Sequence, residues 1–266
     1  MREVGREEQI PLGDLESEGR AAMIETVAEF EVMLGQLSAL KEREKWTEAY
    51  AKLCPWLSHI TGRNSNALGE LSDAEILAEV QVRSKNSSYP YKKMMLIRLL
   101  KEAGDVSGRI SPPHGGYRWY LQALNILLLS LSDGDLVADY RRIVPGMEEL
   151  LVALNDAPIP PKTLILAVFE FERQGRFDRM RDLYMATLRR NPEAPVLLEF
   201  GLGIFSRVGG RDEESLREGG VSHIELDALV AELSQMRQTI VPQGKKLSRE
   251  ALWRIVNAGE NGKRRS

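Results

Sequence analysis

A single cysteine, Cys54, stands in a chain of 266 residues. That excludes an intrachain disulfide and fits a reducing compartment, the cytoplasm. The Leu-Cys-Pro-Trp context of Cys54 reads as a small buried hydrophobe rather than a nucleophile. Histidine is almost as scarce. His59, His114 and His223 lie far apart and no two are spaced by four residues, so no helical zinc-binding pair is present. Long apolar runs are missing too. The most apolar stretch, Leu124 to Leu131, is broken by Asn125 and Ser130 and falls well short of the roughly 18–20 residues a helical membrane span needs. The opening MREVGREEQIPLGD has no apolar core of the kind a secretory leader carries. Nor is there an excess of positive charge. The formal net charge of −3 argues against nucleic acid or an anionic membrane as main partner, because both reward a concentrated basic face. Lys263-Arg264-Arg265 is too short to supply one.

What is present is helical periodicity, with no stretch that alternates as a strand does. Residues 1–19 are charged, hold Pro11 and glycines and lack a period, and are expected to be a disordered lead-in. From Arg20 onward Met23, Val27, Phe30, Leu34 and Leu37 recur at four- and three-residue steps, which predicts an amphipathic helix. Trp46, Ala49, Leu53 and Trp56 mark a second helix, with Pro55 near its end. Thr61 to Gly69 reads as a polar connector. Ser72 and Glu75 form an S-x-x-E capping box, and Ser222 and Glu225 form another. Met95, Leu96, Leu99 and Leu100 make a strongly apolar helix ending at Ala103, and GDVSGRISPPHGG, residues 104–116, reads as an irregular insert. A helix resumes at Tyr117. Asp135 to Asn155 is expected to be helical in two pieces around Pro145-Gly146. One helical domain over 20–240 is therefore expected, followed over 241–266 by a short helix capped by Ser248 and a frayed tail.

The most informative stretch is Pro160 to Pro195. Paired prolines open a helix whose apolar face is Leu164, Val168 and Phe171, and Gly175 closes it. A second helix carries Phe177, Met180, Leu183, Tyr184 and Leu188, and Asn191-Pro192 ends it. Gly175, Phe177, Tyr184 and Pro192 resemble the turn residue, aromatics and proline of a tetratricopeptide repeat. Met180 and Thr187 stand where that motif usually has small residues. Trp46-x-x-Ala49 and Tyr120-x-x-Ala123 repeat its aromatic-x-x-small spacing, but Trp46, Tyr120 and Phe177 are unevenly separated and no fixed period is apparent. The fold class expected is all-α, an irregular tetratricopeptide-like array of helical hairpins resembling an α-solenoid.

Three features in order narrow the resemblance: a helix from Met94 to Ala103 followed by an insert and the Tyr-x-x-Ala helix, the segment LLVALNDAPIPPKTLILAVFEFERQGRFDRMRDLY, and a Gly-Gly turn before a capped helix, GGVSHIELDALVAEL. Over roughly Ala21 to Met236 the chain is similar to an uncharacterised bacterial family of tetratricopeptide-like helical proteins. The resemblance implies a fold and brings no activity, cofactor or catalytic residue.

A search for chemistry is largely negative. His114-Gly115-Gly116 has no nucleophile elbow to serve. Gly244-Lys245-Lys246 lacks the earlier glycine of a phosphate loop, and Gly201-x-Gly203 lacks the third glycine of a dinucleotide fingerprint. No catalytic, cofactor-binding or metal-binding residue is assigned, and the chain is read as non-enzymatic. The function expected is a protein- or peptide-interaction scaffold, since stacked hairpins present a concave face lined by the first helix of each pair. In the repeat alignment Lys162, Phe169 and Arg173 face that groove, an aromatic and two cations suited to an acidic or C-terminal peptide. The alternative is an enzyme with its site near the 104–116 insert, using His114.

Overall fold

The computed structural model describes residues 12–84, 88–112, 115–134, 142–154, 157–191 and 194–240. Among these residues the protein is all-α, with twelve helices and no strand. The chain divides into two compact units, Met1–Asn155 and Asp156–Ser266, where a single domain over 20–240 is expected from sequence. The predicted terminal helix and tail over 241–266, and His114 and Pro192, lie outside the described residues.

The first unit contains α1 (Leu12–Glu42), α2 (Trp46–Thr61), α3 (Ser65–Glu70), α4 (Asp73–Val82), α5 (Tyr89–Ile110), α6 (Tyr117–Asp133) and α7 (Met147–Leu154). α1 begins at Leu12, within the stretch expected to be a disordered lead-in. Its Val27, Phe30, Met33 and Leu37 are buried, so Met33 rather than Leu34 completes the inward seam. Pro55 does not end α2, which runs on to Thr61. Cys54 is only partly buried, and its thiol lies 3.6 Å from the Ser65 hydroxyl. The connector over 61–69 contains α3, whose start is closed by the Asn64 side chain accepting from the Ala67 N–H. The Ser72–Glu75 capping box forms in full at the start of α4.

α5 lies at the centre of this unit, against α1, α2, α4 and α6. Leu96, Ile97, Leu99 and Leu100 are fully buried, each such side chain adding roughly 1.5–3 kcal/mol of hydrophobic stabilisation. The irregular insert expected at 104–116 is corrected here, because α5 continues through Gly104 and Gly108 to Ile110. Gly104 is not a helix stop. A β-carbon there would overlap the Tyr120 ring, so the glycine is the seat on which α6 packs, and that packing overrides its weak helix propensity. Of the two helical pieces expected over 135–155, most of the first lies outside the described residues, Arg142 to Val144 form a turn, and the second is α7.

The second unit contains α8 (Pro161–Arg173), α9 (Phe177–Arg190), α10 (Pro195–Gly209), α11 (Glu213–Glu218) and α12 (His223–Ile240). α8 pairs with α9 and α10 with α12. Gly175 turns the first hairpin at φ 70°, a left-handed conformation that costs glycine little. Phe171, Phe177, Met180 and Tyr184 are buried inside it. Tyr184 also joins the two hairpins, donating its hydroxyl to the Leu197 carbonyl at 2.8 Å. Gly201 lies against the Tyr184 phenol and Leu233. Burial raises the phenol's pKa and keeps it protonated, as a donor must be. The Ser222–Glu225 pair caps α12, with Ser222 N–H to Glu225 at 2.8 Å and Glu225 N–H to Ser222 at 3.3 Å.

A spacing inside this unit escapes the sequence pattern. Pro195 opens α10 34 residues after Pro161 opens α8. At the same offset Leu164 corresponds to Leu198, Ala167 to Gly201 and Phe171 to Phe205, all buried. The second helices start 46 residues apart, at Phe177 and His223, because α11 is inserted before α12.

Candidate partner-binding face

α8 brings Lys162, Phe169 and Arg173 onto one side through their i, i+7, i+11 spacing. Lys162 is partly buried. Phe169 is 42% exposed, although Leu164, Val168 and Phe171 on the opposite side of the helix are buried. It does not stand alone. Phe200 of α10 meets its ring edge-on at a centroid distance of 5.4 Å, and the Arg207 guanidinium lies 5.6 Å from its centroid, close enough for a cation–π attraction.

The cations on this face are held from beneath. Arg173 donates Nε and Nη2 to the two oxygens of Glu170 at 2.8 and 2.6 Å. Arg207 does the same to Glu172 at 2.8 and 2.6 Å, and Arg211 approaches Glu172 at 3.9 Å. The carboxylates are 6% and 11% exposed, whereas the side chains of Arg173 and Arg207 are 63% and 53% exposed. Water therefore meets guanidinium groups, with the acids below them. Burial works to raise the Glu170 carboxyl, but hydrogen bonds from Arg173 and Gln174 outweigh it and hold the group below its ordinary range. Phe200 and Arg207 have no role in the sequence pattern, since α10 is read there through its two glycines. The 34-residue offset places Arg207 at the position Arg173 holds in α8, whereas Phe200 falls opposite Leu166 and is found only through packing.

A second polar constellation lies in the first unit. Asp105 of α5 accepts hydrogen bonds from Lys41 of α1, from Lys101 at 3.0 Å and from the Tyr120 hydroxyl of α6 at 2.9 Å. Glu102, nearly buried, pairs with Lys41 at 2.8 Å and Arg98 at 2.7 Å, and Lys101 reaches Glu149 of α7 at 2.9 Å. Three cations thus meet three carboxylates across α1, α5 and α7, and the Tyr120 hydroxyl brings in α6. Burial would raise the Asp105 carboxyl, but the Lys41 and Lys101 contacts outweigh it and lower its pKa. The Tyr120 phenol is pushed up by burial and by the neighbouring Asp105. The charges balance, although the buried Arg98 Nε has no hydrogen-bond partner among the described residues, and the contacts from α1, α6 and α7 tie those helices to α5. Sequence shows only its i, i+4 pairs, Arg98–Glu102 and Lys101–Asp105. Lys41, Tyr120 and Glu149 are too far along the chain to be joined to them by pattern.

Residues 113–114 of the alternative enzymatic site, His114 among them, lie outside the described residues. Among the described residues no three His, Cys, Asp or Glu side chains are gathered as metal ligands, and no helix is long and apolar enough to cross a membrane. Comparison of the chain with protein-family models, with curated proteins and with solved structures gave no match.

Proposed function

We propose that this protein is a non-enzymatic interaction scaffold of tetratricopeptide-like hairpins, working in the cytoplasm, and that the α8–α10 face takes a protein or peptide segment. The observation that carries the reading is the exposure of Phe169 beside Phe200 and Arg207, while Phe171, Phe177 and Tyr184 of the same hairpin are buried. An exposed aromatic flanked by arginines has the residue types that dominate binding hot spots. The repeat-like character is supported by the 34-residue offset between α8 and α10 and the matched buried positions within it, since 34 residues is the tetratricopeptide period. The resemblance to an uncharacterised bacterial family of such proteins belongs to the same reading.

The test is affinity capture from a bacterial lysate by the native chain, by Phe169→Ala, Arg173→Glu, and by a Val152→Ala control in the other unit. Selective loss of discrete, mass-identified proteins with the double variant is expected. Equal recovery by all three forms removes the face from consideration.

A further inference from the structure

The geometry points to a two-carboxylate clamp on this face: Arg173 and Arg207 are positioned to take an acidic peptide segment whose carboxylates flank an apolar side chain seated on Phe169 and Phe200. The inference rests on the scaffold reading and names the chemistry of its partner.

A guanidinium has five N–H donors and two edges able to meet a carboxylate in bidentate fashion. In both arginines the Nε/Nη2 edge is spent on the buried glutamate. Among the described residues the Nη1 group of neither makes a hydrogen bond, and each side chain is more than half exposed. The outward edge of each is therefore available to a second carboxylate. The ring of Phe169 lies beneath Arg207 and against Phe200, so an apolar surface adjoins the two cationic edges. Charge complementarity selects the partner: Glu170 and Glu172 are covered by the very groups they bind, and an incoming segment meets positive charge around an aromatic centre.

Nucleic acid offers phosphates to arginine as well, but a nucleic-acid face gains from a longer basic track. Lysine cannot replace arginine here, because a single ammonium cannot serve the buried glutamate and the guest with paired donors.

The experiment is fluorescence anisotropy with the full chain and a dye-labelled peptide, GSEEFEEGS, against its amide counterpart, GSQQFQQGS. The native chain should bind the acidic peptide and lose it as salt rises, with the amide peptide at least tenfold weaker. Arg173→Lys and Arg207→Lys, which keep the charge, should each weaken binding by roughly tenfold. Circular dichroism melts check that both variants fold; if one does not, the native chain's preference for the acidic over the amide peptide decides. The clamp is overturned if the two peptides bind alike, if both lysine variants bind as the native chain does, or if a single-stranded oligonucleotide binds more tightly than the acidic peptide. A partner captured through Phe169 but indifferent to Arg207→Lys would leave the scaffold standing and remove only the clamp.

Discussion

Gly201 and Gly203 stand two residues apart in α10, yet replacing each with alanine should have opposite effects. A β-carbon on Gly203 meets nothing within 4 Å. Gly203→Ala should therefore stabilise the helix by up to about 1 kcal/mol through propensity alone. A β-carbon on Gly201 overlaps the Tyr184 hydroxyl and ring and comes within 3.0 Å of Leu233. Overpacking of this kind costs about 1–3 kcal/mol. Displacing the phenol also breaks its bond to the Leu197 carbonyl, and a buried polar group left without its partner costs a further ~1–3 kcal/mol. After the propensity gain of about 1 kcal/mol, Gly201→Ala should destabilise by about 3 kcal/mol. The two units need not unfold together, so a whole-chain melt mixes their signals. Native-state hydrogen exchange read by mass spectrometry on peptides from α9, α10 and α12 isolates the effect. At a factor of ten per 1.4 kcal/mol, exchange in Gly201→Ala should quicken by roughly two orders of magnitude. Adding Tyr184→Phe should recover part of the loss, because the overlapping oxygen leaves and the ring stays. Exchange in Gly201→Ala as slow as in Gly203→Ala would refute the packing argument.

Two further outcomes concern the first unit. Asp105 has a depressed folded-state pKa, so its contribution is present above the unfolded carboxylate value of about 3.9 and is lost as pH falls through the folded value. Chemical denaturation of the native chain and Asp105→Asn should show a clear gap at pH 7 that closes below about pH 4; a gap that widens on acidification contradicts the assigned ion pairs. Gly104→Ala should destabilise by about 1–3 kcal/mol despite alanine's better helix propensity, measured as a shift in urea midpoint, and a stabilised variant would show that Tyr120 does not pack on that site.

The local signals in the sequence translate directly into structure where the chemistry is local. Ser72 with Glu75 and Ser222 with Glu225 close their helices because both partners of each box lie within one turn. Gly175 turns the first hairpin because its left-handed backbone needs no distant help. Phe177 and Tyr184 are buried as their spacing implies. Pattern fails where a distant residue changes a local meaning. Gly104 reads as a helix breaker until Tyr120 is placed against it. Lys41 carries no legible role in the sequence, because Glu102 and Asp105, which it joins, lie more than sixty residues further on. For the candidate face, Lys162, Phe169 and Arg173 are legible from α8 alone. The contribution of α10 is hidden because Phe200 and Arg207 acquire their role only through packing against α8.

The buried acids under Arg173 and Arg207 would also alter what the proposed capture costs. A surface arginine free to swing surrenders about 2 kcal/mol of rotamer entropy when a ligand pins it. Here Glu170 and Glu172 have already imposed that restraint during folding. The proposed guest would meet side chains whose freedom is already reduced, and more of each new contact would survive as affinity.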